Sequence, residues 1–248
     1  MRTFLAGCAL FGVTMLTCPP MLLFGLFGPP PSLHSRQARF FGRAMLWACG
    51  ARVAVKGLEN VPNRPCFLVG NHQSALDIPL LFAVSEGRVR FMAKDSLFRV
   101  PFFGWVMRMY GHVPIHRGDA RATLAALEQM VERVQRQPMS LVVFPEGTRS
   151  PDGGLLPFRI GAMKICQRAG LPVVPFAIDG TLAIHRRGSL RVRSGPARVA
   201  FGSPIPPEEA AALSSRELAD RVVADVARLL GREAPARQTA AWAAGEED

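Results

Sequence analysis

The sequence predicts an α/β fold, a mixed and largely parallel sheet flanked by helices, and three observations carry that prediction. Runs such as Cys66-Phe67-Leu68-Val69, Leu141-Val142-Val143-Phe144 and Val173-Val174-Pro175-Phe176 are apolar without alternation, as strands covered on both faces must be. Amphipathic helical periods fall between such runs. No internal repeat or linker divides the 248 residues, and with 49% of them hydrophobic they can bury one full core.

Taken in order, the first element is Thr3 to Gly28, nearly all apolar, with no Asp, Glu, Lys or Arg between Arg2 and Arg36. A straight membrane span needs roughly 20 apolar residues. Here 16 precede Pro19-Pro20 and 8 follow, so the stretch reads as an N-terminal membrane-anchoring helical segment. It is either one kinked helix or a wedge in a single leaflet. A cleaved signal peptide shares the pattern of a basic residue and an apolar run, but no A-x-A-like cleavage site follows. Pro29-Pro30-Pro31 closes the segment. Arg36, Arg39 and Arg43 then favour the cytoplasmic face of a bacterial inner membrane for the body. Residues 1–35 are therefore assigned to the anchor, 36–235 to one domain, and 236–248 to a frayed tail.

Within the domain, strands are expected at Arg52–Lys56, Cys66–Gly70, Val89–Ala93, Leu141–Phe144, Val173–Ile178, Arg191–Arg193 and Arg198–Phe201. A helix is expected over Arg121–Arg136, where Leu124, Leu127, Val131 and Val134 recur at helical spacing. Ser214-x-x-Glu217 is a capping-box pattern ahead of Leu218, Val222, Val226 and Leu229, and predicts another.

Thirty Lys and Arg against 19 Asp and Glu give a net charge of +11. Such a balance suits anionic partners, but no nucleic-acid-binding motif accompanies it, and that class is set aside. The five cysteines form no C-x-x-C pair and sit mostly in apolar runs. They read as small buried hydrophobes in a reducing compartment, not as disulfides or a zinc site.

Two loops carry the chemistry. Gly70 to Pro79 follows a buried strand directly, so His72 lies at a strand's C-terminal end, where open α/β sheets bind ligands. Ser74 fits a helix N-cap with Asp77 at N3. Five residues along a continuous helix would put His72 and Asp77 about 140° apart, so they meet only if the helix begins between them. An imidazole held by a carboxylate keeps one tautomer and is stabilised on proton uptake, which makes it a general base. An isolated H-x4-D is also what a helix-capping acid beside a turn histidine looks like. No G-x-S-x-G elbow or Cys-His pairing supplies a protein nucleophile, so such a histidine would activate a substrate hydroxyl directly.

The second loop, Phe144-Pro145-Glu146-Gly147-Thr148-Arg149-Ser150, also ends a buried strand. Gly147 permits close backbone approach, and Arg149 offers a planar fork for phosphate or carboxylate. Gly111 to Arg117 delivers another arginine after an apolar approach, and Val173 to Phe176 is a core strand.

Together and in this order the pieces resemble the glycerophospholipid acyltransferases, most closely the 1-acylglycerol-3-phosphate acyltransferases. The blocks are N-H-x-S-x-x-D at Asn71–Asp77, a block ending at Arg117, F-P-E-G-T-R-S at Phe144–Ser150, and the apolar V-P block at Val173–Phe176. The resemblance spans roughly residues 50 to 205 and makes 36–235 an acyltransferase domain. It implies transfer of a fatty acyl group from acyl-CoA or acyl-carrier protein to a lysophospholipid hydroxyl, making phosphatidic acid without metal or organic cofactor. By the same resemblance His72 is the base, oriented by Asp77. Glu146 lies in the acceptor site, Thr148 is a substrate-binding residue, and Arg117 and Arg149 bind the acceptor phosphate. Lys94 and the Gly147 N–H stabilise the thioester oxyanion. A different lysolipid acceptor, such as a lyso-ornithine lipid, is the alternative within this chemistry. A non-enzymatic basic membrane-binding protein is the alternative outside it. Arg186, Arg187, Arg191, Arg193 and Arg198, with no acid between Asp179 and Glu208, read as a membrane-facing or a solvated face.

Overall fold

The computed structural model describes residues 3–8, 12, 16, 31–101, 103–115, 125, 129–130, 132, 139–189 and 191–233. Its strands are β1 (Ala51–Lys56), β2 (Phe67–Gly70), β3 (Val89–Lys94), β4 (Val113–Ile115), β5 (Ser140–Val143), β6 (Val173–Asp179) and β7 (Gly195–Phe201). Its helices are α1 (Pro31–Cys49), α2 (Asp77–Val84), α3 (Phe103–Met109), α4 (Ile160–Ala169), α5 (Thr181–Ile184), α6 (Pro207–Ala212) and α7 (Ser215–Leu230). The strands form one seven-stranded sheet in the order β1-β7-β6-β2-β5-β3-β4. Among the described strands only the β6–β7 pairing is antiparallel, so the mixed, largely parallel sheet is as expected.

The position of β2 explains its composition. It pairs with β5 on one side and β6 on the other, and every residue in it is buried. Successive side chains alternate between the two faces. Leu68 joins Val142 and Val174 in a core with Ala38 and Leu46 of α1 and Leu80, Leu81 and Phe82 of α2. Phe67 and Val69 join Leu141, Val143 and Val173 in a second core with Met163 and Cys166 of α4 and Leu218, Val222 and Val226 of α7. Both faces are apolar because helices cover both. Burying a side chain of this size is worth about 1.5–3 kcal/mol.

Helix α7 begins as its sequence dictates: Ser214 accepts the Glu217 N–H and Glu217 accepts the Ser214 N–H, a complete capping box.

Four features depart from expectation. Arg191–Arg193 is not a strand; it is irregular, with the Arg193 N–H donating to Ile184 O. Val113–Ile115 is a strand, pairing with β3. Pro31, the last proline of the triplet, starts α1, since a missing N–H costs nothing in a helix's first turn. The boundary drawn at 35/36 therefore falls inside a continuous helix. Ser74 does not cap α2: the N-cap position is Leu76, without a side-chain cap, and the helix starts at Asp77.

Of the expected anchor, residues 3–8 are helical and Ala6 is buried, while most of 9–30 lies outside the described residues. No described helix is long and apolar enough to cross a membrane. Most of Arg121–Arg136 also lies outside the described residues; 125, 129, 130 and 132 are helical. So does the tail from 234 onward.

Candidate active site

Because β6, β2, β5, β3 and β4 run parallel, their C-terminal ends share one edge of the sheet. The H-x4-D loop leaves β2, the F-P-E-G-T-R-S loop leaves β5, Thr181 follows β6, and Lys94 ends β3. The three central strands thus deliver the site from segments far apart in the chain.

His72 Nδ1 lies 2.7 Å from Asp77 Oδ2. The chain meets itself because residues 72–76 are not helical, so the constraint of helical spacing never applies. Asp77, fully buried, accepts four hydrogen bonds. Oδ2 takes the Gln73 N–H at 2.7 Å and the Ser74 N–H at 2.9 Å besides His72, and Oδ1 takes the Thr181 hydroxyl at 2.6 Å. Four donors offset the desolvation of one buried charge. An ionised carboxylate can only accept, so Nδ1 carries the imidazole proton and Nε2 keeps its lone pair. The His72 side chain is 18% exposed. The ring stacks on Phe144, centroids 4.1 Å apart and planes 16° apart, which fixes its tilt.

The loop after β5 is stapled to the same backbone. Ser150 N–H donates to His72 O at 2.8 Å, and the His72 N–H donates to Glu146 Oε2 at 3.3 Å. Glu146 Oε1 accepts the Leu156 N–H at 3.3 Å. Burial pushes the Glu146 carboxyl up to about 8, and the charge of Asp77 adds to this, against the pull of the two N–H donors. Gly147 sits at φ 65°, and a Cβ there would lie 2.7 Å from Arg159 Nε, so the turn requires glycine.

The predicted residues are brought together unequally. His72, Asp77, Glu146, Gly147, Thr148 and Arg149 share two adjoining loops. Lys94 is exposed at the end of β3, two strand positions and about 10 Å along the edge from β2. Arg149 is half-buried, with no hydrogen bond or ion pair among the described residues. Thr148 Oγ1 accepts from Arg187 Nη1 at 3.2 Å, which brings one arginine of the basic run to this loop. The Gly147 N–H, expected to meet an oxyanion, instead donates to Phe144 O at 3.0 Å inside the turn, and so is committed. Arg117 lies outside the described residues. His112, in the same block, points inward: its Nδ1 accepts the Phe91 N–H, and burial together with Arg90 drives it down to about 3. It is a neutral, half-buried ring packed among Phe82, Phe91 and Tyr110.

Ser74 contributes differently from expectation. Its hydroxyl donates to His185 O at 2.7 Å and accepts the Leu76 N–H, so it fastens the loop instead of capping the helix. Asn71 bridges β2 to β6, donating to Ile178 O and accepting the Ile178 N–H. Thr181 and Phe144 carry no signal in sequence as partners of Asp77 and His72. Among the described residues no group of three or more His, Cys, Asp or Glu is placed to hold a metal ion.

A family model described as Acyltransferase matches residues 52–179. A chloroplastic 1-acyl-sn-glycerol-3-phosphate acyltransferase of Brassica napus is 37% identical over 208 residues, covering 80% of this chain and 59% of its own length. The corresponding protein of Pseudomonas aeruginosa is 29% identical over 189 residues, covering 76% and 73%. The chain spans about three fifths of the length of several curated plant and algal relatives it matches, at 59%, 58% and 62%. Among solved structures, the 1-acyl-sn-glycerophosphate acyltransferase PlsC of Thermotoga maritima superposes with a TM-score of 0.76 at 29% identity, over 92% of this chain and 95% of that one. The match runs from β1 to the end of β6, over half the chain, and encloses both the His72–Asp77 pair and the loop stapled to it. On that ground the chain belongs to the acyltransferase family.

Proposed function

We propose that this chain transfers a fatty acyl group from a thioester, acyl-CoA or acyl-carrier protein, to the sn-2 hydroxyl of 1-acyl-glycerol-3-phosphate, making phosphatidic acid. The observation that carries the reading is the 2.7 Å pairing of His72 Nδ1 with Asp77 Oδ2 at the ligand-binding edge of the sheet.

In this reading Nε2 of His72 takes the acceptor hydroxyl's proton as that oxygen attacks the thioester carbonyl. The C–O bond forms, negative charge gathers on the carbonyl oxygen, and the imidazolium is held by Asp77. Collapse breaks the C–S bond, and the proton passes from His72 to the departing thiolate. The dyad returns to its starting state with no covalent enzyme intermediate. Lys94 is assigned to the oxyanion, because an exposed ammonium at the edge can follow the developing charge. Arg149 and Arg117 are assigned to the acceptor phosphate. Glu146 and Thr148 shape the acceptor side of the site.

The acceptor lives in a bilayer, and α1 offers a face suited to one. Arg36, Phe40, Arg43 and Trp47, spaced four, three and four residues apart, are all exposed, Trp47 at 78%. Arginines toward lipid phosphates and rings at the headgroup level are the chemistry of an interfacial helix.

The test is a panel of lysolipid acceptors against acyl-CoA and acyl-carrier protein, with His72→Ala as the blank. Transfer to lysophosphatidic acid above all others supports the reading. Preference for an acceptor without phosphate overturns the assignment of Arg149 and Arg117.

A further inference from the structure

We infer that Thr181 is a positioning residue of this site, holding Oδ1 of Asp77 so that Oδ2 stays aimed at Nδ1 of His72. Its consequence for rate rests on the acyl-transfer reading above.

The donors on Asp77 differ in origin. The three on Oδ2 come from His72, Gln73 and Ser74, which belong to the same loop and move with it. Thr181 is 104 residues away in sequence and is the one described donor to Asp77 from another element, at 2.6 Å. A carboxyl torsion is broad and two-fold, so donors on one oxygen alone leave the group free to swing. A donor on the other oxygen, anchored elsewhere, removes that freedom.

The anchor is rigid. Thr181 opens α5 directly after β6, which is hydrogen-bonded to β2, the strand that carries the H-x4-D loop. Asn71 ties the same two strands at their ends through Ile178. Between β6 and Thr181 stands Gly180 at φ 86°, where a Cβ would collide with Pro196 O. Only glycine lets the chain turn there and bring Thr181 back over β2. The other end of α5 makes a second fastening, His185 O accepting the Ser74 hydroxyl. The segment therefore grips the loop at two points, the Asp77 carboxylate and the Ser74 hydroxyl.

Burial sharpens the argument. Thr181 is fully buried, and valine would fill the same volume without a hydroxyl to satisfy. Space-filling alone does not call for the oxygen; the bond to Asp77 does.

The dyad is minus one when deprotonated and neutral when it holds a proton. A donor to the carboxylate favours the charged state more, so losing it makes the dyad bind its proton more tightly. Glu146 is the titratable group facing the dyad from the neighbouring loop, and it titrates near 8. The readout must accordingly follow His72 itself and not rate alone.

The experiment compares Thr181→Val, Thr181→Ser and Thr181→Ala in the full chain. His72 is titrated by imidazole NMR, with kcat, both KM values and Tm measured alongside. For Thr181→Val the His72 midpoint should rise by about half a unit or more. The kcat should fall about tenfold or more, with both KM values within about twofold. Thr181→Ser should restore both. A valine variant with wild-type titration and kcat overturns the inference, as does a serine variant no better than alanine. If valine does not fold, the serine–alanine comparison decides alone. A wild-type protein that acylates no lysolipid overturns the proposed function, while the His72 titration still tests Thr181.

Discussion

His72 Nδ1 and Asp77 Oδ2 are 2.7 Å apart, and the same oxygen receives the N–H groups of Gln73 and Ser74. Asp77 thus organises the loop that presents the histidine it orients. His72→Ala should remove the general base and lower kcat by about 10²–10⁴-fold with little change in Tm. Asp77→Asn should be nearly as damaging for a different reason. Its amide oxygen can still accept from His72, and its NH₂ can meet the Thr181 oxygen. The charge that stabilises the imidazolium is nevertheless gone. Steady-state kinetics with acyl-CoA and lysophosphatidic acid check both. A His72→Ala enzyme within threefold of wild type would end the dyad mechanism.

Glu146 should make stability depend on pH in a particular direction. Its folded-state carboxyl is raised from 4.5 to about 8, chiefly by burial, so the folded chain holds a proton that the unfolded chain releases. Stability from this group is complete below 4.5 and is lost as pH rises toward 8, by roughly 1 kcal/mol per pH unit. Glu146→Gln stays neutral throughout, so its Tm should fall less than that of wild type between pH 5 and pH 8. Parallel Tm curves for the two proteins would contradict the assignment.

Much of this was legible in the chain, and the exceptions have physical causes. Strands β2, β5 and β6 were readable because strands covered on both faces must be unbroken apolar runs. The dyad was readable because both partners sit in one short loop. Thr181 was not, since nothing local marks a contact across 104 residues. Helix α1 was hidden because three prolines read as a stop, although proline suits a helix's first turn. Arg191-Val192-Arg193 imitates strand alternation, yet its backbone bonds to the end of α5 instead of to a strand. Ser74 had the spacing of a cap, but its hydroxyl is drawn to His185 O.

The capping box of α7 offers a change in stability separate from the site. Ser214→Ala removes the acceptor for the Glu217 N–H at an exposed helix start, far along the chain from both loops. The loss should be about 1 kcal/mol, read as a lower Tm or denaturation midpoint. The kcat per folded molecule should not change. A fall in kcat larger than the fall in folded fraction would mean that α7 is coupled to the site through β6.

Arg149 is the group on which acceptor recognition should turn. Arg149 is half-buried in the loop whose Ser150 N–H is bonded to His72 O, and it has no hydrogen-bond or ion-pair partner among the described residues, a state suited to meeting an anion. A charge-assisted bond to phosphate contributes about 1.5–3 kcal/mol. Arg149→Ala should therefore raise the KM for lysophosphatidic acid by about 10–100-fold while leaving that for acyl-CoA within about twofold. Arg149→Lys should recover only part of this, because an ammonium keeps the charge and loses the planar fork. Arg187, held at this loop by Thr148, should add a smaller, salt-sensitive attraction. Thr148→Val should raise the acceptor KM modestly at low salt and hardly at all at high salt. Equal damage to donor and acceptor by Arg149→Ala would move this arginine from the phosphate to the fold of the loop itself.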